Sequence, residues 1–159
     1  HRWKNNKSGK IGIMTGLEND PTSTMPGPEF VEKSIAEIRK HTDREIIVKP
    51  HPMSDYVPKR HAMVAKHMSL KDLAPLLYCA VLDNSTSIFE LTMLGIPCFT
   101  TKANFGYKLG NTDLSKINDI YYSDENTMRE WWNEMCHTEF RENEFKDSMI
   151  FDYLQELVQ

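Results

Sequence analysis

Hydrophobic positions in this chain come in short runs whose period switches between 2 and about 3.6 residues, as expected where strands alternate with helices. The run Lys10-Ile11-Gly12-Ile13-Met14 predicts a strand over 10–14. Residues 45–49 predict a second, stopped by Pro50 and Pro52. Short strands are expected over 62–66, 79–82 and 97–100. Cys79-Ala80-Val81-Leu82 shows no polar alternation, which suits a parallel strand covered on both faces.

Between these runs the apolar spacing is helical. Residues 29–41 place Phe30, Val31, Ile35 and Ile38 on one face. Residues 69–77 predict a helix capped by Ser69, with Asp72 three positions on and Pro75 shortening or kinking it. Residues 85–94 predict another, closed by Gly95 at the C′ position. Two more follow: 125–135, with Met128, Trp131, Trp132 and Met135, and 139–157, with Phe140, Phe145, Met149, Ile150, Tyr153, Leu154 and Leu157. The alternation predicts an α/β fold: a Rossmann-like parallel sheet flanked by helices, with helices at the C-terminal end. Residues 15–28, broken by Gly16, Pro21, Pro26, Gly27 and Pro28, read as loop, and 101–122 as a long polar connection.

The length of 159 residues suits one domain. We expect residues 1–9 to be a flexible segment and 10–159 to form the domain. The chain opens on His1 in polar sequence, which suggests part of something longer. Hydrophobic residues make up 40% and charged residues 26%, with net charge −4, so neither disorder nor a general attraction to nucleic acid or anionic membrane is expected. No apolar run approaches the roughly 20 residues of a membrane span. Cys79, Cys98 and Cys136, odd in number and widely spaced, argue against a disulfide framework and fit a reducing cytoplasm.

Two segments carry the candidate chemistry. Lys49-Pro50-His51-Pro52 follows one apolar run, and Asp83-Asn84-Ser85-Thr86-Ser87 follows another. In an open α/β sheet, ligands bind beyond the carboxyl ends of the strands, so both segments are expected at a ligand site. The side chains of Asn84, Ser85, Thr86 and Ser87 stand where a helix begins and suit phosphate. Capping alone needs one or two such residues, fewer than this run supplies. His51 sits between two prolines that fix its direction, and its imidazole can donate to a phosphate oxygen; a solvent-exposed turn histidine is the alternative, but the rigid Pro-His-Pro frame just after a buried strand favours function. Lys49 adds a cation. Glu90 either closes a Ser-x-x-Glu capping box with Ser87 or accepts hydrogen bonds from a ribose. Gly16 ends the first strand and permits close approach of a ligand to the backbone, or simply a turn. Lys66 and His67, and the loop residues Asn111 and Asp113, are weaker candidates for contacts to a base or a sugar, with surface or turn roles favoured. His41, His61 and His137 lack partners at ligand spacing, so no metal is assigned. The usual fingerprints of P-loop ATPases, dinucleotide oxidoreductases and α/β-hydrolases are missing.

The order strand, Lys-Pro-His-Pro, helix, strand, Asp-Asn-Ser-Thr-Ser, helix, Gly-Ile-Pro, strand resembles the C-terminal, donor-binding half of GT-B glycosyltransferases. It is most similar to the bacterial sialyltransferase and capsule-polysaccharide transferase groups and the related glycerophosphotransferases, over about residues 10–101. The resemblance implies that His51 and Pro52 hold the nucleotide and its phosphate, that Ser85, Thr86 and Ser87 hold the phosphate, and that Glu90 lies near the ribose. It implies a metal-independent transfer with no cofactor beyond the activated sugar, CMP-, CDP- or UDP-linked. A looser similarity, through Gly110-Asn111-Thr112-Asp113-Leu114 to Trp131-Trp132, is to glycosyltransferase-like proteins of tailed bacteriophages, some of whose relatives act on DNA bases. DNA is therefore one candidate acceptor. In these families the catalytic base comes from an acidic motif in the N-terminal half. Leu17-Glu18-Asn19-Asp20 is acidic but lies in the other half. The base is accordingly expected on an N-terminal half-domain outside this chain; a chain that binds nucleotide without completing catalysis, or a glycerophosphotransferase, is the alternative.

Overall fold

The structure, a computed structural model, describes residues 3–21, 23–59 and 62–136. The helix predicted over 139–157, together with His61 and His137, lies outside them. The described residues fall into two compact units, divided between Asp124 and Glu125. The first is an α/β unit whose five strands are all parallel in the order β3-β2-β1-β4-β5: β1 Lys10–Met14, β2 Ile46–Lys49, β3 Met63–Val64, β4 Leu77–Leu82 and β5 Cys98–Thr100. The helices of this unit are α1 Gly27–Ile38, α2 Leu70–Leu73 and α3 Ser87–Met93, with short 3₁₀ turns between elements.

Side chains on the strands alternate between two apolar layers. Ile11, Ile13, Ile46, Val48, Cys79 and Val81 pack with Phe30, Val31, Ile35 and Ile38 of α1. Met14, Ile47, Ala80 and Leu82 pack with Leu70 and Leu73 of α2 and Ile88 and Leu91 of α3. Every residue of β4 is buried, as its unbroken apolar pattern predicts. Strand β3 is shorter than expected and sits at the sheet edge with both residues exposed. Burial holds the Cys79 thiol well above its usual pKa, so it packs as a small hydrophobe.

Local chemistry explains where the helices differ from prediction. The helix expected over 69–77 ends at Leu73 and tightens into a 3₁₀ turn over Ala74–Leu76, because Pro75 cannot continue an α-helical ladder. Ser69 caps it as expected, accepting from the Asp72 backbone N–H at 3.1 Å. Helix α3 begins at Ser87 rather than Ser85. The Ser85 hydroxyl accepts the Ser87 N–H at 3.3 Å, while the Ser85 and Thr86 carbonyls take i+3 bonds from Ile88 and Phe89. Gly95, at φ 76°, ends this helix as predicted.

Residues 3–9, expected as a flexible segment, are tied to the rest of the unit. Trp3 Nε1 donates to the Ser123 carbonyl, the Lys4 N–H to that of Gly95, Asn6 Nδ2 to that of Pro75, and Arg44 to that of Lys7. In the second unit, α4 (Glu125–Cys136) forms as predicted, and its Trp131 and Trp132 rings meet edge to face with centroids 4.9 Å apart. No helix among the described residues is long and apolar enough to cross a membrane.

Helix α1 starts hard against the end of β1. A Cβ on Gly27 would stand 2.5 Å from Thr15 Oγ1 and 2.6 Å from the Gly16 carbonyl oxygen. Gly27→Ala should therefore destabilise the fold by about 1–3 kcal/mol through overpacking, read as a lower urea midpoint at unchanged slope. An unchanged midpoint would contradict so close an approach.

Candidate functional site

The strand order fixes where a cleft opens. The chain steps from β1 to β2 on one side and later returns to place β4 on the other side of β1. The helices that follow β1 and β4 lie on opposite faces of the sheet, so the loops that lead into them part. At this switch point lies a cleft of about 270 Å³. Met14, Thr15, Gly16, Leu17 and Asp20 line it from the end of β1; Lys49, Pro50, His51 and Pro52 from the end of β2; and Asn84, Ser85, Thr86 and Ser87 from the end of β4.

His51 is held by its own turn. Its carbonyl accepts the Ser54 N–H at 2.9 Å, and its Nδ1 accepts the Met53 N–H at 3.2 Å. That second bond assigns the lone pair to Nδ1 and the proton of the neutral ring to Nε2, leaving Nε2–H as the donor. The turn is in turn fastened to the loop after β1. Ser54, 1% exposed, accepts from the Tyr56 N–H and donates its hydroxyl to Glu18 Oε1. Further along, Tyr56 Oη and the Lys59 N–H both donate to Glu32 Oε1 on α1. Lys49 Nζ reaches the Lys66 carbonyl at 3.4 Å.

Asp83, the first residue of the polar run after β4, does not line the cleft. It is buried, at 6% exposure, and organises the loops around it. Its carboxylate accepts the Thr24 N–H and hydroxyl, each at 2.7 Å, and the Thr101 hydroxyl at 3.0 Å. Its carbonyl accepts the Thr100 hydroxyl at 3.0 Å and Asn104 Nδ2 at 2.7 Å. Asn104 also reaches the Ser85 carbonyl at 3.3 Å, which ties the hydroxyl-rich loop to the chain beyond β5.

Of the residues singled out from sequence, Gly16, Lys49, His51, Pro52, Asn84, Ser85, Thr86 and Ser87 come together in this one cleft. Glu90 does not line it. It lies within α3 and is half-buried. Asn111 serves the backbone: its amide exchanges two hydrogen bonds with the main chain of Tyr121, at 2.7 and 3.0 Å. Asp113 caps a 3₁₀ turn through the Ser115 N–H at 2.9 Å, and the Ser115 side chain first, with that backbone bond second, holds its carboxyl below its usual pKa. Lys66 pairs with Asp55 at 2.9 Å. Thr15, a weaker candidate beside Gly16 in the sequence, lines the cleft as well, whereas sequence reasoning missed Asp20 as a lining residue. Asp20 was visible only as part of an acidic loop, and a loop that long gives no period from which to read direction. Among the described residues no three His, Cys, Asp or Glu side chains stand close enough to hold a metal ion.

Fold and site together define a doubly wound α/β unit with a small polar cleft at its topological switch point. Comparison with family models, with curated proteins and with solved structures finds no match.

The Ser54–Glu18 bond gives a pH dependence. The Ser54 hydroxyl, the largest cause, holds the Glu18 carboxyl below its ordinary pKa of 4.5, with a small attraction from His51 acting the same way. A lowered folded pKa means that the contribution is present above the unfolded pKa and is lost as pH falls through the folded one. The melting temperature of wild type should exceed that of Ser54→Ala by a constant margin at neutral pH, and the margin should shrink below about pH 4.5. A margin independent of pH from 7 to 3 would show that Ser54 acts through packing alone.

Proposed function

We propose that this chain is the donor-binding half of a metal-independent, nucleotide-sugar-dependent glycosyltransferase of the GT-B type. One observation carries the reading: the Lys-Pro-His-Pro and Asn-Ser-Thr-Ser segments, far apart in sequence, line the same cleft at the switch point of a parallel sheet. The cleft joins hydrogen-bond donors of several kinds: an imidazole N–H, four hydroxyls with Thr15 counted, and an amide, with one ammonium beside them. These are groups that suit a phosphate monoester or diphosphate.

The proposed chemistry is electrostatic. As the bond between the sugar carbon and the phosphate oxygen breaks, the electron pair stays on that oxygen and negative charge grows there. Donors already aimed at it stabilise that charge without reorganising. His51 Nε2–H and the hydroxyls of Ser85, Thr86 and Ser87 take this role, with Lys49, Asn84, Pro52 and Gly16 shaping the phosphate site. The base that activates the acceptor belongs to an N-terminal half-domain. The acceptor is a glycan on this reading. A DNA base would need a basic groove that a net charge of −4 does not supply here, so on that reading the partner half would carry it. A glycerophosphotransferase would use the same cleft, and a donor screen separates the two.

A thermal-shift panel of CMP, CDP, UDP and GDP tests the site directly. The matching nucleotide at a hundred times its Kd should stabilise the chain by about 2.7 kcal/mol. His51→Ala and Ser85→Ala should each weaken that binding at least tenfold and, in the full enzyme, lower turnover at least tenfold. No shift with any nucleotide, or kinetics unchanged in both variants, would sink the reading.

A further inference from the structure

The cleft that gathers donors for phosphate also contains a carboxylate. Asp20, half-buried, lines it from the loop after β1. Its Oδ2 lies 3.6 Å from where a Cβ on Gly16 would stand, and the nearest other atom to that point is Ser23 Oγ at 3.4 Å. Both are ordinary contacts, and Gly16 has no left-handed φ. Neither the backbone nor the packing therefore demands glycine at 16. What its missing side chain does is keep space open beside the Asp20 carboxylate.

An ionised carboxylate only accepts hydrogen bonds. Toward a bare phosphate it is repulsive, and in a partly desolvated cleft that repulsion is stronger than in water. It becomes favourable when the ligand brings hydroxyl donors alongside its phosphate. We propose that Asp20 is a specificity-determining residue that accepts hydrogen bonds from vicinal hydroxyls of a phosphate ester, with Gly16 leaving room for them. The inference rests on the phosphate-binding reading of the cleft and deepens it. It moves the hydroxyl-reading role from Glu90, which lies outside the cleft, to Asp20, which lines it. The hydroxyls belong either to the ribose of a nucleotide or to a sugar phosphate.

The test is calorimetric titration of wild type, Asp20→Asn and Gly16→Ala. The ligands are the ribonucleotide that gives the largest thermal shift, its 2′,3′-dideoxy analogue, glucose 1-phosphate and pyrophosphate. Wild type should prefer a hydroxyl-bearing ligand, either the ribonucleotide over its dideoxy analogue or glucose 1-phosphate over pyrophosphate, at least tenfold. Which pair shows the preference identifies the source of the hydroxyls. Asp20→Asn should reduce that ratio at least fivefold while leaving pyrophosphate binding unchanged or tighter. Gly16→Ala should keep the melting temperature of wild type yet reduce the same ratio, which guards against an Asp20 variant that simply disturbs its loop. A ratio that neither variant changes, or a loss of pyrophosphate affinity as large as that of the hydroxyl-bearing ligand, overturns the assignment to Asp20. If the same wild type still binds nucleotide and Ser85→Ala still weakens it, the phosphate reading survives that failure. If wild type binds none of the four ligands, the phosphate reading itself has failed and takes this inference with it.

Discussion

The buried carboxylate of Asp83 is the constraint around which the ligand edge of the sheet is organised. A carboxylate withdrawn from water is costly unless its oxygens are satisfied. Here they are, by Thr24 from the loop before α1 and by Thr101 from the loop after β5. Bonds to a charged acceptor contribute on the order of 1.5–3 kcal/mol each, and removing the acceptor strands the donors as well. The same residue's carbonyl takes Thr100 and Asn104, and Asn104 reaches on to the Ser85 carbonyl. One residue at the end of β4 therefore sets where three loops stand, and two of those loops shape the cleft.

The second fixed element is the turn that carries His51. Pro50 and Pro52 restrict its backbone, the Met53 N–H fixes the ring's tautomer, and the Ser54–Glu18 bond fastens the turn to the loop after β1. The cleft walls are thus linked to one another, the end of β4 to the loop after β1 through Asp83 and Thr24, and the end of β2 to that same loop through Ser54 and Glu18. Neither linkage is apolar. The two hydrophobic layers position the strands, while buried and half-buried polar bonds position the loops. That division follows from the sheet: strand backbones satisfy one another, and the loops beyond them must find side-chain partners.

The sheet was legible because its signals are local and redundant. Strand β1 matched its prediction residue for residue, since polar sequence bounds an apolar run on both sides. The unbroken apolar pattern of 79–82 announced burial on both faces, although the strand begins earlier, at Leu77, where Pro75 ends the helix. The approach of His51 to the Ser85 loop was legible as well, because strand ends of a parallel sheet share an edge. What sequence could not supply was side-chain direction within polar runs. Residues 83–87 look like one set of ligands, yet Asp83 turns inward to the loops and the others line the cleft. Asp20 and Glu18 lie two residues apart in one acidic loop; Asp20 lines the cleft, whereas Glu18 bonds Ser54. Period and propensity say nothing about such choices, which depend on partners distant in sequence.

The balance of charge in the cleft decides what kind of recognition it can perform. Among its described lining residues Lys49 and Asp20 bear opposite formal charges, and the Lys49 ammonium is already directed at the Lys66 carbonyl. Coulomb attraction for an anion is therefore small compared with a site built from several arginines or lysines. On the proposed reading, a phosphate there is held mainly through directed hydrogen bonds: from the His51 ring, the serine and threonine hydroxyls and the Asn84 amide. Such donors discriminate by geometry rather than by charge, and each left unmatched in a partly desolvated cleft costs free energy. A site of this make-up favours a ligand whose acceptors and hydroxyls fit it at several points over a small ion that fits at one. On the proposed reading of the cleft as a phosphate site, that make-up suits a large phosphate ester better than free phosphate.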